Sequence, residues 1–358
     1  MFKRQKWFNL SVSCGYDKHT VPIFRACAGS RTVPLFKTLL TSYCKNDCKF
    51  CALRCERRTV RNRWKPIEFA KVGYNLWKMR KIEGVFLSSS VERDPDFTVE
   101  KQIQAVELLR GMGFTDYIHT RIMPGTSREL IKRAAEISDR IGINIELPSK
   151  EHYEDMKLYL SFVQDIVRRL KWISKEVKKL QNEEKCKAGL DSQMIVGASD
   201  ETDKEIIEMS DWLYHKLNAQ RVYYSRFDPI KNTPLKNKKS ENPWREYRLY
   251  QSSFLLRDYG FEADDFVFDD NNRLNLKEDP KYAIAKEREL IVNVNDAEFE
   301  ELIKVPGIGL KTAQKIIENR PIKNVSIFKS FGVILKRANP FIEINGLHQS
   351  RLSRWIKN

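Results

Sequence analysis

Val33-Pro34-Leu35-Phe36-Lys37-Thr38-Leu39-Leu40, followed at once by Thr41-Ser42-Tyr43-Cys44-Lys45-Asn46-Asp47-Cys48-Lys49-Phe50-Cys51, is the stretch that decides the fold. Its first half is an apolar run of strand length, and its second half gathers three thiols into one loop. Iron–sulfur clusters are normally held by four thiolates. A trio spaced Cys-x3-Cys-x2-Cys, with no fourth cysteine at ferredoxin spacing, therefore leaves one iron of a [4Fe–4S] cluster open to an outside ligand. The competing reading is a structural zinc knuckle or a ferredoxin-like site. Zinc wants four ligands in closed geometry, as two Cys-x2-4-Cys pairs or a Cys/His pairing. Here the only other nearby thiol is Cys55, and the next histidine down the chain is His119. The spacing favours the open cluster, on Cys44, Cys48 and Cys51.

Outward from this stretch, apolar runs alternate with longer amphipathic ones. Val33–Leu40, Gly84–Leu87, Tyr117–Met123, Ile143–Leu147, Gln193–Gly197 and Arg221–Phe227 have the length of buried strands. Between and after them, Pro66–Lys81, Val99–Leu109, Ser127–Arg140, Tyr153–Leu180, Asp203–Leu217 and Trp244–Tyr259 carry helical periodicity. Six strand-then-helix units predict parallel strands joined by right-handed crossovers. The cysteine loop follows the first strand, at the carboxyl edge where parallel barrels place function.

The cysteine spacing, with Phe50 just before the third cysteine, is similar to the signature of radical S-adenosylmethionine (SAM) enzymes. In that superfamily the amino and carboxylate groups of SAM chelate the fourth iron, and one electron from the cluster yields methionine and a 5′-deoxyadenosyl radical. A closer resemblance covers nearly the whole chain. Ile82-Glu83-Gly84-Val85-Phe86-Leu87-Ser88-Ser89-Ser90, Tyr117-Ile118-His119-Thr120-Arg121-Ile122-Met123-Pro124-Gly125, Asn144-Ile145-Glu146-Leu147-Pro148, Gln193-Met194-Ile195-Val196-Gly197-Ala198 and Arg221-Val222-Tyr223-Tyr224-Ser225 resemble the blocks of the DNA modification/repair radical SAM family. The resemblance continues through Arg245-Glu246-Tyr247-Arg248-Leu249-Tyr250-Gln251. It implies an α/β fold, an incomplete (βα)6 barrel with a small all-α C-terminal helix-hairpin-helix domain. It also implies a [4Fe–4S] cluster and SAM as cofactors, an electron donor such as flavodoxin or ferredoxin, and association with a uracil-DNA-glycosylase-like protein. The family's net reaction does not follow from the resemblance.

The same likeness suggests cofactor contacts. Phe50 and Val196-Gly197 would lie near the adenine, and Glu146 would make polar contacts to SAM. Ser88, Ser89 and Ser90 stand where many relatives carry a Gly-Gly-Glu loop, a departure that leaves backbone groups to bind the SAM amino group. His119 and Arg121 alternate by two along the third strand and face one way, so both are candidates for substrate contact. Tyr224, Ser225 and Asp228, near the end of the sixth strand, are further candidates. Arg54, Arg57, Arg58, Arg61, Arg63 and Lys65, with Trp64, form a basic run after the cluster loop, read either as phosphate contacts with a stacking indole or as a solvated loop. Cys14, Cys27, Cys55 and Cys186 are scattered and read as ordinary thiols.

A second motif is Leu302-Ile303-Lys304-Val305-Pro306-Gly307-Ile308-Gly309-Leu310-Lys311-Thr312-Ala313-Gln314-Lys315-Ile316-Ile317. Asn295, with Glu298 three residues later, reads as the cap of the helix that enters it. Gly307 and Gly309 permit a tight reversal, and the next helix offers amino-terminal amides to a phosphate. This is similar to a DNA-gripping helix-hairpin-helix, with Val305, Gly307, Gly309, Lys311, Thr312 and Lys315 as the contact residues. Phe328–Arg337 resembles a degenerate second copy. From Ile303 to Asn358 there are eleven lysines and arginines against two acids. A hairpin used only for packing or protein contact is the alternative.

The remaining composition bounds the partners. Over 358 residues the formal net charge is +16, which favours a polyanion. No run approaches a membrane span, and the amino terminus lacks a signal-peptide apolar region, so the expected location is cytoplasmic with no membrane partner. The expected organisation is an extension (1–32), the partial barrel (33–230), a helical connector (231–290) and the hairpin domain (291–358). The readings that compete with a DNA-acting radical enzyme are a radical SAM enzyme that modifies RNA and a noncatalytic DNA-binding iron–sulfur protein.

Overall fold

A computed structural model describes residues 23–28, 31–156, 160–344 and 346–348. Cys14, most of the 1–32 extension, the Cys27 side chain and the last ten residues lie outside that description. The chain forms two compact units. One holds the chain through Glu201 together with Trp212–Glu241; the other holds Thr202–Asp211 and the chain from Asn242 onward.

The first unit is built on one seven-stranded sheet: β1 (Ile23–Ala28), β2 (Arg31–Leu39), β3 (Gly84–Ser88), β4 (Tyr117–Arg121), β5 (Arg140–Gly142), β6 (Gly189–Val196) and β7 (Ala219–Arg226), ordered as they occur in the chain. β1, which lies within the expected extension, pairs antiparallel with β2, and every later pairing is parallel. Pro66 opens α1 (Pro66–Lys78), where its missing N–H costs nothing, and Glu68 accepts the Lys65 N–H at 3.2 Å. Asp94 caps α2 (Pro95–Gly111) by accepting the Phe97 N–H at 2.7 Å. The outward side chains of β2–β4 pack beneath these helices: Phe36, Val85, Leu87 and Ile118 bury with Phe69 and Leu109, and Phe36 stacks on Phe69 at 5.4 Å.

The sheet is curled. Arg121 on β4 lies 5.9 Å from the ring of Phe86 on β3 and 5.9 Å from that of Tyr223 on β7. In a flat sheet, β4 and β7, three positions apart, would stand about 14 Å from each other. Inward residues of distant strands therefore meet in the interior of a half-barrel.

Two elements depart from the periodic pattern. The strand expected at Ile143–Leu147 is instead Arg140–Gly142, and beyond it Glu146 sits at φ +65° with a single parallel bridge to Met194. A left-handed residue ends a regular ladder. After α3 (Arg128–Ile137), the long helix expected from Tyr153 is divided into α4 (Lys150–Met156), a π-helical turn (Phe162–Val167) and α5 (Arg168–Asn182). Ser161 starts the second part: its hydroxyl accepts the Gln164 N–H at 3.2 Å, and its own N–H donates to Asp165 at 2.8 Å.

In the second unit α6 (Asp203–Asp211), α7 (Pro243–Asp258) and α8 (Pro280–Glu287) precede the hairpins. Asp203 is buried and bonds the Arg245 side chain at 2.6 Å and the Leu274 N–H at 2.8 Å. The C-terminal part is not all-α. β8 (Val292–Asn293), β9 (Ile342–Ile344) and β10 (Leu347–His348) form a small sheet that ties the two ends of the hairpin segment together. No helix among the described residues is long and apolar enough to cross a membrane.

Candidate cluster site and nucleic-acid interface

The cysteine loop has no regular structure, so its backbone groups need partners from elsewhere. Neighbouring segments supply several: Ser90 N–H to Thr41 O at 3.0 Å, Lys45 N–H to Val91 O at 2.8 Å, Lys49 N–H to Met156 O at 3.0 Å and Cys55 N–H to Asn46 O at 2.8 Å. The basic run supplies others. Arg61 donates to the carbonyls of Ser42, Leu53, Arg54 and Arg57 at 2.6, 2.7, 2.7 and 3.2 Å. Arg54 donates twice to Asp47 O, and Arg57 to Ala52 O and Lys231 O. These guanidiniums staple the loop and are not available to phosphates. Trp64 is buried, donating to Thr38 Oγ1 at 3.2 Å, so it is no stacking platform.

Cys48 is buried, Cys44 and Cys51 half-buried, and Cys51 Sγ accepts the Leu53 N–H at 3.3 Å. A donor aimed at a ligand sulfur is a contact that tunes iron–sulfur centres. Among the described residues no three His, Cys, Asp or Glu side chains converge on a point as ligands of a single ion do. A cubane sets a different requirement, since each thiolate binds its own iron. Three thiols on one braced loop, one of them already receiving a backbone donor, fit that group. Cys55 is exposed and Cys186 buried, the latter with its thiol pushed up to about 12 by burial.

The segment Ser88, Ser89, Ser90 follows β3 next to the cysteine loop, and its neighbour Val91 bonds that loop directly. Phe50 is half-buried on the loop itself. Glu146 is half-buried at the carboxyl edge, with its backbone bonded to Gln193 O and the Ile195 N–H, and its carboxylate accepts from Asn144 at 3.2 Å. Gly197 sits at φ +89°, where an added Cβ would meet Glu241 atoms from 2.5 Å. Val196 is fully buried, which leaves only its backbone for a ligand.

Inside the curl lies a residue that sequence reasoning missed. Asp191 on β6 is fully buried; it receives the Arg121 guanidinium, and His119 Nε2 lies 3.1 Å from Oδ1 and 3.0 Å from Oδ2. Arg121 also donates to Asn144, which in turn holds Glu146. Burial alone would raise the Asp191 carboxyl's pKa, but Arg121 and His119 outweigh it and hold the group well below the carboxylate range. Burial pushes the His119 imidazole down against the pull of Asp191. Gly142 is required opposite, because a Cβ there would overlap Asp191. The available signal was slight, one acid next to Leu190 and two positions ahead of the expected strand start at Gln193. Tyr224 is buried and points away from this group; Tyr223, on the inward face, meets Arg121 and accepts from Arg140 at 3.3 Å. Ser225 shares the Tyr223 face, and Asp228 pairs with Arg226 at 3.4 Å.

The first hairpin is α9 (Phe299–Leu302), a turn, and α10 (Leu310–Glu318); α11 (Phe328–Phe331) and α12 (Leu335–Ala338) form the second. Glu298, not Asn295, caps α9, its N–H donating to Glu301 at 2.8 Å; Asn295 braces Ile322 instead. Gly307 alone takes a left-handed φ, +87°, and an added Cβ would stand 2.6 Å from Ile334 O, whereas Gly309 is extended and meets only the Tyr259 hydroxyl at 3.7 Å. Val305 is core and Thr312 buried; Lys311 and Lys315 are exposed. The Tyr259 hydroxyl lies beside the start of α10, next to Gly309 and the Leu310 N–H. On the other side of the turn, the buried Lys281 ammonium donates to Ile308 O at 2.7 Å. Burial lowers the Lys281 pKa to about 7.

Residues 288–336 match the family model described as a helix-hairpin-helix motif. No curated protein matches the chain. Among solved structures, methylornithine synthase (PylB) is 18% identical, covering 63% of this chain and 62% of its own, at a TM-score of 0.49. HydG, a maturase of the [FeFe]-hydrogenase, is 11% identical at 0.48, covering 62% of this chain and 49% of its own. HydG from Carboxydothermus hydrogenoformans is 15% identical at 0.48, covering 62% and 51%. The chain thus spans less than two thirds of each.

Proposed function

We propose that this chain is a radical SAM iron–sulfur enzyme acting on DNA, with Cys44, Cys48 and Cys51 holding a [4Fe–4S] cluster whose fourth iron binds SAM. The observation that carries this reading is the thiol loop at the carboxyl end of the first parallel strand, held in place by three arginines. When bound, cluster and SAM would supply radical chemistry, hydrogen removal from a nucleotide or addition to one, at the cost of one electron from an outside donor. The chain's own residues do the rest. Ser88–Ser90, Phe50, Glu146 and the backbone of Val196-Gly197 bind and orient SAM. His119, Arg121 and Ser225 are the substrate-side candidates. Lys311 and Lys315, with the α10 amides, hold DNA phosphates without reading sequence. A target within a duplex has to leave the stack to reach the barrel mouth. An electron donor such as flavodoxin or ferredoxin is required, and a uracil-DNA-glycosylase-like partner belongs to the same reading.

Anaerobic reconstitution tests it. About four irons per chain are expected, with 5′-deoxyadenosine released on adding dithionite and SAM. Alanine at Cys44, Cys48 or Cys51 should abolish release, and Cys186→Ala should not. Retained release in all three single variants ends the radical reading.

A further inference from the structure

At the carboxyl ends of β2 and β3 a cleft of ≈ 140 Å³ opens between the amino termini of α1 and α2, with Leu40, Trp64, Pro66 and Phe97 as apolar lining. Of the cations that line it, Arg63 is paired with Glu92 at 2.6 Å. Lys65 and Lys101 have no carboxylate partner among the described residues; Lys101 contacts the Gln104 amide, at 3.0 Å, and lies 5.8 Å from the centre of the Phe97 ring. The cleft therefore combines an apolar interior with two uncompensated ammonium groups. Around it, guanidiniums lie on aromatic rings: Arg63 is 4.5 Å from the ring of Tyr43, which is 39% exposed, and Arg93 is 4.5 Å from that of Phe97. Arg93 reaches its place from a left-handed backbone, φ +60°, a conformation that costs free energy in a residue with a side chain. Thr41, another lining residue, lies three positions before Cys44, and the Lys45–Val91 backbone bond joins the two loops that border the cleft.

An apolar slot excludes a phosphate but takes a planar ring; ammonium groups beside it take the phosphate; neighbouring aromatic and guanidinium faces take adjoining bases. The volume is well below the roughly 300–1,000 Å³ of a drug-sized ligand site, which suits one heterocycle. We propose that this cleft is a subsite for one nucleotide of a single strand, its base against Phe97 and its phosphate on Lys65 and Lys101. The proposal rests on the reading of the chain as a DNA-acting enzyme, and it adds a contact separate from the hairpins. A strand seated here runs beside the cluster loop, already unstacked.

The test uses the full-length protein and a labelled eight-nucleotide oligo-dT, by anisotropy at several salt concentrations. The double variant Lys65→Ala, Lys101→Ala should bind it about tenfold more weakly, with the salt slope reduced by about 0.7 for the one single-strand phosphate that the two lysines share. Affinity for a duplex should stay within about twofold. Phe97→Leu should lose about five- to hundredfold, the worth of one base stack. Because Phe97 also belongs to the capped first turn of α2, an independent measurement is made on the wild type: photocrosslinking to oligo-dT carrying one 5-iododeoxyuridine, with peptide mapping. Crosslinks at Tyr43 or Phe97 support the subsite. Crosslinks confined to 303–338, no binding of the single strand, or unchanged affinity in the double variant would each overturn it. Failure of the radical reading appears elsewhere, as absence of 5′-deoxyadenosine from reconstituted wild type, and leaves the crosslink map untouched.

Discussion

Asp191 carries the highest stakes of any single residue in the barrel. A carboxylate with no exposure is tolerable only because Arg121 and His119 surround it. Asp191→Asn would leave the Arg121 guanidinium buried without its counter-charge, so a loss of about 3–5 kcal/mol is expected from urea unfolding. Replacing both partners together, Asp191→Leu with Arg121→Met, should recover part of that loss, because two apolar groups leave no orphaned charge. The pH dependence has a definite sign. His119 and Asp191 both have depressed native pKa values, so on acidification the unfolded chain takes up protons that the native chain refuses. Their contributions are whole above about pH 6.5; the His119 part shrinks below that, and the Asp191 part below about pH 4. The urea midpoint should therefore fall from pH 7 to pH 4 and again below pH 4, and Asp191→Asn should remove that last limb. A midpoint independent of pH would contradict the buried triad.

Within elements, the hairpin separates geometry from charge. Gly307 has the positive φ and the Ile334 carbonyl beside it, so Gly307→Val should collapse the turn and cut duplex affinity more than tenfold, while Gly309→Ala, in extended backbone with space around it, should cost less than twofold. Lys311→Ala should lower the salt slope by about one without changing sequence preference. Equal effects of the two glycine variants would mean the turn does not carry the binding. Lys281 adds a pH-dependent brace. Its native pKa, about 7, lies below that of an unfolded lysine, so between pH 7 and about 9.5 the unfolded chain holds a proton that the folded one has released. Stability of this unit should rise across that window in wild type and rise less in Lys281→Met, read as the difference between their urea midpoints. These elements also show what the sequence could disclose. The thiol loop, the βα alternation and the Pro-Gly-x-Gly turn are local patterns, legible from spacing alone. Arg61 read as a phosphate contact or part of a solvated loop because its four carbonyl partners lie up to 19 residues away. The early start of β5 and the inward face of Asp191 depend on strand register, which a single-strand pattern does not contain. Tyr224 was preferred to Tyr223 for the same reason, since one step along a strand exchanges the two faces.

For the whole molecule, a net charge of +16 and two compact units suggest that chemistry and DNA retention are separable properties of one chain. The thiols, the arginine staples and the Asp191 group all belong to the first unit; Gly307, Lys311 and Lys281 all belong to the second. If the hairpins serve only to raise the local concentration of DNA, damage to one unit should leave the other's readout intact. Gly307→Val should then retain iron content and DNA-independent 5′-deoxyadenosine release within about twofold while duplex affinity collapses. Cys44→Ala should do the reverse, losing release and keeping the duplex affinity and salt slope of wild type. Both variants are measured in the same two assays, anaerobic product release without DNA and anisotropy on a labelled duplex. A Cys44→Ala chain that also loses duplex affinity would mean that the cluster loop itself helps bind DNA, or that cluster loading is needed to fold the hairpin unit. Either outcome would replace a tethering role with a coupled one.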